Sequence, residues 1–244
     1  MPLVRAKAFV LSAIPLREKD RIVTILTEET GKSRVVARGA RRLQSAFAGA
    51  LEPMSEAEVL FFEKEGRDLH RLDSLELVRS SFPLASELSS ALLLSALAES
   101  LITFVSDSDP SEKFFRLARH AMDALFSGAR PRAVAVYFDA WVLRLSGVLP
   151  SPSACAVCGR TGLESPFFFE ESLPGFLGRE CARAGSKKLS RAASEGISSI
   201  LSRPLDSLAV DFQALPEIGD VLGRVRRHFL GHELRSQRVL QQVW

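Results

Sequence analysis

The feature that most constrains the fold is a change of hydrophobic period near Pro83. Before it, short segments rich in β-branched and aromatic residues alternate with turn residues, and each has the length of a strand: 4–14, 21–26, 33–37, 57–62 and 69–78. After Pro83, apolar residues recur at helical spacing, beginning with Leu88 to Phe104. The two periods predict a β unit followed by a helical one, because alternation places apolar residues on one face of a strand and a period of about 3.6 places them on one face of a helix.

The strand-rich region predicts a small barrel. Five short strands can close on themselves, and the five-stranded OB-fold is a barrel of this kind that binds oligonucleotides. An SH3-like barrel is the alternative. A turn at Glu65-Gly66 would join the last two strands.

The rest of the chain predicts helices on both sides of a segment rich in glycine, proline and cysteine. Helical periodicity covers 88–104, 109–128, 132–146, 190–201 and 215–234. Asp109 has the properties of an N-cap for the second of these helices, and Pro150-Ser151-Pro152 breaks the pattern after the third. All three cysteines follow that break.

Composition excludes several classes of protein. The longest apolar stretch, Ala133 to Leu149, is interrupted by charges and is too short to cross a membrane, which needs about 20 apolar residues. The apolar run after Lys7 imitates a secretory signal but lacks a small-residue cleavage site. Three cysteines, an odd number, suit a reducing compartment. We therefore expect a cytoplasmic protein without a membrane span.

A cluster of positive charge lies in the second hairpin and just beyond it. Its members, with no acidic residue among them, are Lys32, Arg34, Arg38, Arg41 and Arg42. Strand alternation places Val35 and Ala37 toward the core and the first three cations on the opposite side. Such a patch can follow a phosphate backbone, and five neutralised phosphates of a single strand predict a log–log salt slope of about −3.5. A solvated barrel face is the alternative, and base stacking would need exposed aromatic residues, for which Phe47, Phe61 and Phe62 are candidates.

The cysteines have partial metal-site spacing. Cys155 and Cys158, followed by Gly159, have the spacing of a zinc knuckle, and Cys181 offers a third thiolate. Gly178 stands where the partner of Cys181 is expected. Three interpretations remain open: a zinc site completed by water, Glu180 or a distant group; a former zinc fold held by packing of Phe167-Phe168-Phe169; and a redox-active dithiol.

Other candidate sites are weaker. His228 and His232 are four residues apart on a predicted helix, but Arg224, Arg226 and Arg227 favour a solvated basic face over a metal site. The sequence has no phosphate-binding glycine loop, no nucleophile elbow and no carboxylate cluster suited to two-metal chemistry. We therefore expect a protein that is not an enzyme.

Three segments together carry a resemblance to a known family. They are Ala13 to Val23, then Thr30-Gly31-Lys32 leading to Val36-Ala37-Arg38-Gly39-Ala40-Arg41-Arg42, then Cys155-Ala156-Val157-Cys158-Gly159. Their order resembles the RecO recombination mediators of bacterial DNA repair, over nearly the whole chain. The second segment is the most specific of the three.

The resemblance implies an α+β multidomain fold. Residues 1–80 would form an N-terminal OB-fold β-barrel that binds DNA. Residues 81–152 and 187–244 would form an α-helical domain, and 153–186 a zinc-finger-like insertion. Many members have two cysteine pairs, so Gly178 is a departure that puts bound zinc in question.

The resemblance also implies a function. Members of this family bind single- and double-stranded DNA, anneal complementary strands, associate with RecR, and help RecA replace single-strand-binding protein. The DNA-contact role is carried over to Lys32, Arg34, Arg38, Arg41 and Arg42. Two alternatives stay open: a helical adaptor whose barrel charge is incidental, and a thiol redox enzyme that uses Cys155 or Cys158.

Overall fold

The structure, a computed structural model, describes residues 2–45, 47–63, 66, 68–107, 110–170, 175–208 and 210–244. Its strands are β1 (Leu3–Pro15), β2 (Arg21–Thr27), β3 (Gly31–Ala37), β4 (Glu56–Phe62), β5 (Leu69–Arg79), β6 (Phe168–Glu170), β7 (Gly175–Leu177) and β8 (Lys187–Lys188). Its α-helices are α1 (Leu88–Phe104), α2 (Glu112–Phe126), α3 (Pro131–Leu145), α4 (Arg191–Ser202), α5 (Leu215–Leu230) and α6 (Arg235–Val243). The predicted turn residue Glu65 and N-cap Asp109 lie outside the described residues.

The five predicted N-terminal strands are present and close into a barrel in the order β1-β2-β3-β5-β4. β1 pairs with both β2 and β4, and β3 pairs with β5 in parallel. The alternation predicted for β3 is observed, since Val35 and Ala37 are fully buried while Arg34 is exposed. The predicted N-terminal OB-fold barrel is thus confirmed, and a helical region with a cysteine cluster follows it.

The chain divides into two compact units, one of residues 1–122 with 234–244, the other of residues 123–233. The first contains the barrel, α1 and α6. The Glu99 carboxylate of α1 accepts hydrogen bonds from the backbone N–H groups of Arg235 (3.1 Å) and Ser236 (2.7 Å), and so caps the N-terminus of α6. The domain limits predicted at 80/81, 152/153 and 186/187 stay a prediction.

The second unit packs α3, α4 and α5 together, with a small sheet in the order β7-β6-β8. Arg226 of α5 forms a buried ion pair with Asp139 of α3, in which Nη1 donates to Oδ1 at 2.6 Å. Arg226 is only 1% exposed, so the predicted solvated basic face that included it is wrong. None of the helices in the described ranges is long and apolar enough to cross a membrane.

The single helix predicted over 215–234 is also wrong, because α5 ends at Leu230. Gly231 adopts a left-handed conformation, φ 73°, and its N–H donates to the Arg227 carbonyl at 2.8 Å, which is a typical glycine C-cap. His232 therefore lies beyond the helix that carries His228. The two histidines do not share a helical face.

Candidate nucleic-acid interface and cysteine cluster

The five predicted DNA-contact cations do not form one cluster. Lys32 lies near the start of β3, and Arg38 follows its last residue. Six residues of extended chain span about 20 Å. Strand β3 therefore separates the first of the predicted contacts from the group Arg38, Arg41 and Arg42.

The Lys32 side chain is already engaged within the first unit. Its Nζ donates to the Ile102 carbonyl at 2.6 Å and lies 3.2 Å from Oδ1 of Asp107, and the side chain is 13% exposed. Lys32 thus ties β3 to the end of α1 and the residues that follow it. Arg34 points outward and forms an exposed ion pair with Asp68 at 3.6 Å, a contact of little energetic weight.

The other cations belong to a surface built from two loops. We define the two-loop surface as residues 16–20, between β1 and β2, with residues 38–42, after β3. The Gly39 N–H donates to Oδ1 of Asp20 at 2.9 Å. Arg41 donates from its backbone N–H to the Lys19 carbonyl at 3.0 Å and from Nη1 to the Arg17 carbonyl at 2.9 Å. These three bonds hold the loops side by side.

Strand register brings the two loops together. Arg21 is paired with Pro15 of β1 on one side and with Ala37 of β3 on the other. The chain entering β2 and the chain leaving β3 must therefore emerge at the same end of the barrel. The two-loop surface follows from the pairing of the two hairpins.

The two-loop surface has as many cations as the sequence cluster, five, but Arg17 and Lys19 take the place of Lys32 and Arg34, and two carboxylates lie among them. Its exposed cations are Arg17, Lys19, Arg38, Arg41 and Arg42. Most of them line a concavity of about 530 Å³, together with Glu18, Asp20 and Gly39. The side chains of Arg38 and Arg42 have no ion-pair partner among the described residues. Sequence analysis missed Arg17 and Lys19, although hairpin register contained the signal for them.

The predicted stacking residues do not serve this surface. Phe47 and Phe61 are buried in the barrel core, at 9% and 1% exposure, because the closed barrel needs large side chains to fill it. Phe62 lies under the Arg71 guanidinium, 4.7 Å from its ring centre. The two-loop surface instead presents the exposed aliphatic side chain of Leu16, and the exposed Leu43 follows its second loop directly in the chain.

The three cysteines converge, as their spacing predicts. The Sγ atoms of Cys155, Cys158 and Cys181 all lie within 4.8 Å of one another, and we call them the cysteine cluster. The knuckle is closed by a hydrogen bond from the Gly159 N–H to the Cys155 carbonyl at 2.9 Å, and Gly159 has φ 72°. Cys181 ends a short 3₁₀ turn that begins at Arg179. These three sulfurs could bind a metal.

Two thiols of the cysteine cluster have pKa values that are shifted in opposite directions. Burial raises the pKa of the Cys155 thiol, but hydrogen bonds from the backbone N–H groups of Cys158 and Gly178 outweigh it, so that this pKa falls to about 6. The side chains of Cys158 and Cys155 raise the pKa of Cys181 to about 11. Cys155 is nevertheless only 3% exposed, which restricts its access to a redox partner.

Aromatic packing supports the same region. Phe176 is fully buried, and its ring centre lies 5.2 Å from that of Phe167 and 5.8 Å from that of Phe169. The Phe176 carbonyl also accepts from the Ala156 N–H, within the knuckle, at 2.9 Å. Phe167 and Phe169 of the predicted phenylalanine run therefore pack around Phe176, next to the knuckle.

Comparison with known proteins gives a consistent assignment. The family profile "Recombination protein O N terminal" matches residues 1–81, and "Recombination protein O C terminal" matches residues 85–238. The DNA repair protein RecO of Koribacter versatilis (strain Ellin345) is 33% identical over 85% of this chain and 84% of its own. That of Anaeromyxobacter sp. (strain K) is 32% identical over 100% of this chain and 98% of its own. The chain therefore belongs to the recombination protein O (RecO) family.

Proposed function

We propose that this protein acts in recombinational DNA repair as a non-catalytic mediator that binds DNA through the two-loop surface. The observation that carries the proposal is the convergence of five exposed cations on two loops that three hydrogen bonds hold together. The relatives, which are named DNA repair protein RecO, supply the cellular setting.

Phosphate charge explains how such a surface would act. Each neutralised phosphate releases counterions, so affinity is high at low salt and independent of sequence. Two DNA strands gathered on the protein would repel each other less and could pair. Binding of single- and double-stranded DNA and annealing of complementary strands follow from this role.

The cations differ in their proposed roles. Arg38, Arg41 and Arg42 are the proposed central contacts, and Arg34 would extend the surface along β3. The Lys32 amine already has a carbonyl and a carboxylate as partners, so its proposed role is to anchor the strand that carries the others.

The proposed protein partners are RecR and single-strand-binding protein, and the proposed outcome is assistance to RecA on DNA coated by the latter. This part of the proposal rests on the family. The adaptor hypothesis is the second candidate, favoured by exposed apolar side chains such as Phe82 and Leu88, which are 71% and 67% exposed.

Zinc is the metal that we propose for the cysteine cluster. Its donors would be Cys155, Cys158 and Cys181, whose convergence and hydrogen-bonded Cys155 sulfur suit a thiolate-binding cation. When bound, zinc would supply a structural cross-link between the knuckle and the 3₁₀ turn.

The test of DNA binding is a triple substitution of Arg38, Arg41 and Arg42 by alanine. Binding of a fluorescent oligothymidylate is followed by anisotropy at several salt concentrations. We expect the slope of log affinity against log salt to fall from about −3.5 to about −1.4, because three of five phosphate contacts are lost. Annealing of complementary oligonucleotides should slow in parallel.

A matched control removes the same charge elsewhere in the first unit. Arg5, Lys7 and Arg116 are exposed and lie outside the two-loop surface, and their replacement by alanine should leave the slope near that of the wild type. Equal effects of the two triple variants would contradict the assignment of the site. A wild-type protein without salt-dependent affinity for oligonucleotides would favour the adaptor.

A further inference from the structure

The cysteine cluster provides three ligands where a structural zinc site has four. Among the described residues, no histidine, aspartate or glutamate joins the three sulfurs as a further ligand within the same distance. The nearby Glu180 carboxylate is instead paired with Arg160, whose Nη1 lies 2.7 Å from Oε2. A metal held here would have one coordination position not filled by these residues.

Gly178 marks the side of the cluster from which a fourth ligand is missing. Its backbone N–H bonds to the Cys155 sulfur, so it lies directly against the cluster. Its φ of −71° is one that any residue adopts, so the backbone does not require glycine. A Cβ atom added at this position would meet only Leu163 Cδ2, at 3.3 Å. A side chain would fit if Leu163 moved by a few tenths of an ångström, and the sequence places none there.

A cavity of about 300 Å³ opens on the three sulfurs at this place. Besides the cysteines and Gly178, its lining includes two cationic side chains, Arg160 and Arg179, and two acidic ones, Glu164 and Glu180. The volume is ample for a water molecule or a small solute. The formal charges of these four side chains cancel, so the three sulfur atoms, and not the charge of the lining, decide which ligand suits the site.

We propose that the cysteine cluster holds its metal through three protein thiolates and keeps an exchangeable fourth position, occupied by water and open to a small thiolate from solution. The inference rests on the proposed metal site, and on neither DNA binding nor repair. It distinguishes this cluster from a closed four-cysteine site, in which no solvent ligand can enter. The ligand class is a small thiol, bound as its thiolate, because the site offers three soft sulfur donors beside a cavity large enough to admit it.

The test uses the full-length protein loaded with Co²⁺ as a spectroscopic substitute for zinc. 2-Mercaptoethanol is then titrated in while the ligand-field absorption is recorded. We expect a saturable shift toward the spectrum of a four-thiolate site in the wild type. Gly178→Cys should show that spectrum from the outset and should not respond to the thiol. Gly178→Ala, which fills the space without adding a ligand, should bind the metal and still respond.

Two results would overturn the inference separately. A wild-type protein that binds Co²⁺ with a spectrum insensitive to the thiol has a fourth protein ligand, and the exchangeable position fails while the metal site stands. A wild-type protein that binds no Co²⁺, as judged by native mass spectrometry, removes the metal and the inference together. Should Gly178→Cys fail to fold, X-ray absorption of the zinc-loaded wild type decides, because three sulfur neighbours and one oxygen are expected.

Discussion

The two-loop surface and the cysteine cluster are assembled alike but work differently. Each joins two stretches of chain through a hydrogen bond from a backbone N–H group to a side chain, from Gly39 to the Asp20 carboxylate in one and from Gly178 to the Cys155 sulfur in the other. The two-loop surface presents exposed charges that act independently through their summed potential. The cysteine cluster requires three atoms to meet at one point, so loss of one ligand damages the whole site.

The two sites therefore differ in how well they tolerate the substitution of one residue. A phosphate-binding surface can lose or gain one cation and change its affinity by a modest factor. A metal site that needs four protein ligands is not closed when one of them is absent, and Gly178 stands where the partner of Cys181 is expected. The buried phenylalanines pack beside the cluster, so packing is a second source of stability that can be tested against a metal.

The largest effect should come from Phe176→Ala, which tests whether packing or metal holds the cysteine cluster in place. Removing this fully buried ring should destabilise the second unit by about 3 to 5 kcal/mol. Urea unfolding is followed by the fluorescence of Trp141 in a Trp244→Phe background, so that only the second unit is observed. Phe82→Ala, at a 71% exposed site in the first unit, is the control.

Adding a chelator to the same urea unfolding experiment separates the contribution of a metal from that of packing. If aromatic packing dominates, a chelator should lower the stability of the wild type by less than Phe176→Ala does. A chelator that unfolds the second unit completely would show that metal, and not packing, maintains the region.

The strands of the barrel could be predicted because their signal is local. Alternation in Gly31–Ala37 specifies which side chains are buried, and the observed exposure follows it residue by residue. The end of α5 was missed because the apolar periodicity continues past it to Leu234. The helix ends where Gly231 adopts a left-handed conformation, which the periodicity does not reveal.

The candidate sites could be predicted less fully, because spacing along the sequence does not show which residues strand pairing brings close together. Lys32 looked like its neighbours by charge, yet its amine binds a carbonyl 70 residues further along the chain. Arg17 and Lys19 looked unrelated to Arg38, but strand register brings them together. Asp20 belongs to none of the sites predicted from the sequence, although its carboxylate joins the two loops.

A second prediction concerns Asp20, an acidic residue within a surface proposed to bind phosphate. Asp20→Ala removes the acceptor for the Gly39 N–H and should weaken oligonucleotide binding about tenfold, or ~1.4 kcal/mol, even though a negative charge is removed. Asp20→Asn keeps an oxygen at the same place and should bind at least as tightly as the wild type. Anisotropy titration at one salt concentration measures both.

The two possible roles of Asp20, repelling DNA and positioning the loops, predict opposite effects of Asp20→Ala on DNA binding. If Asp20 acted only by repelling DNA, both substitutions would tighten binding to a similar degree. Weaker binding by the alanine variant alone identifies Asp20 as a positioning residue. Thermal unfolding of both variants shows whether the loss is confined to the loops.

The smallest effect on DNA binding is expected for Lys32, which shares strand β3 with the cations but lies at its far end. Lys32→Ala removes the bonds to Ile102 and Asp107 and should lower the stability of the first unit by about 1 to 2 kcal/mol. The salt slope should stay unchanged, because the amine is already engaged and only 13% of the side chain is exposed. Arg38→Ala, in contrast, should reduce the magnitude of the slope by about 0.7, the value for one phosphate of a single strand. A reduction of the same size in Lys32→Ala would show that the proposed interface extends along the whole strand and would remove the distinction between its two ends.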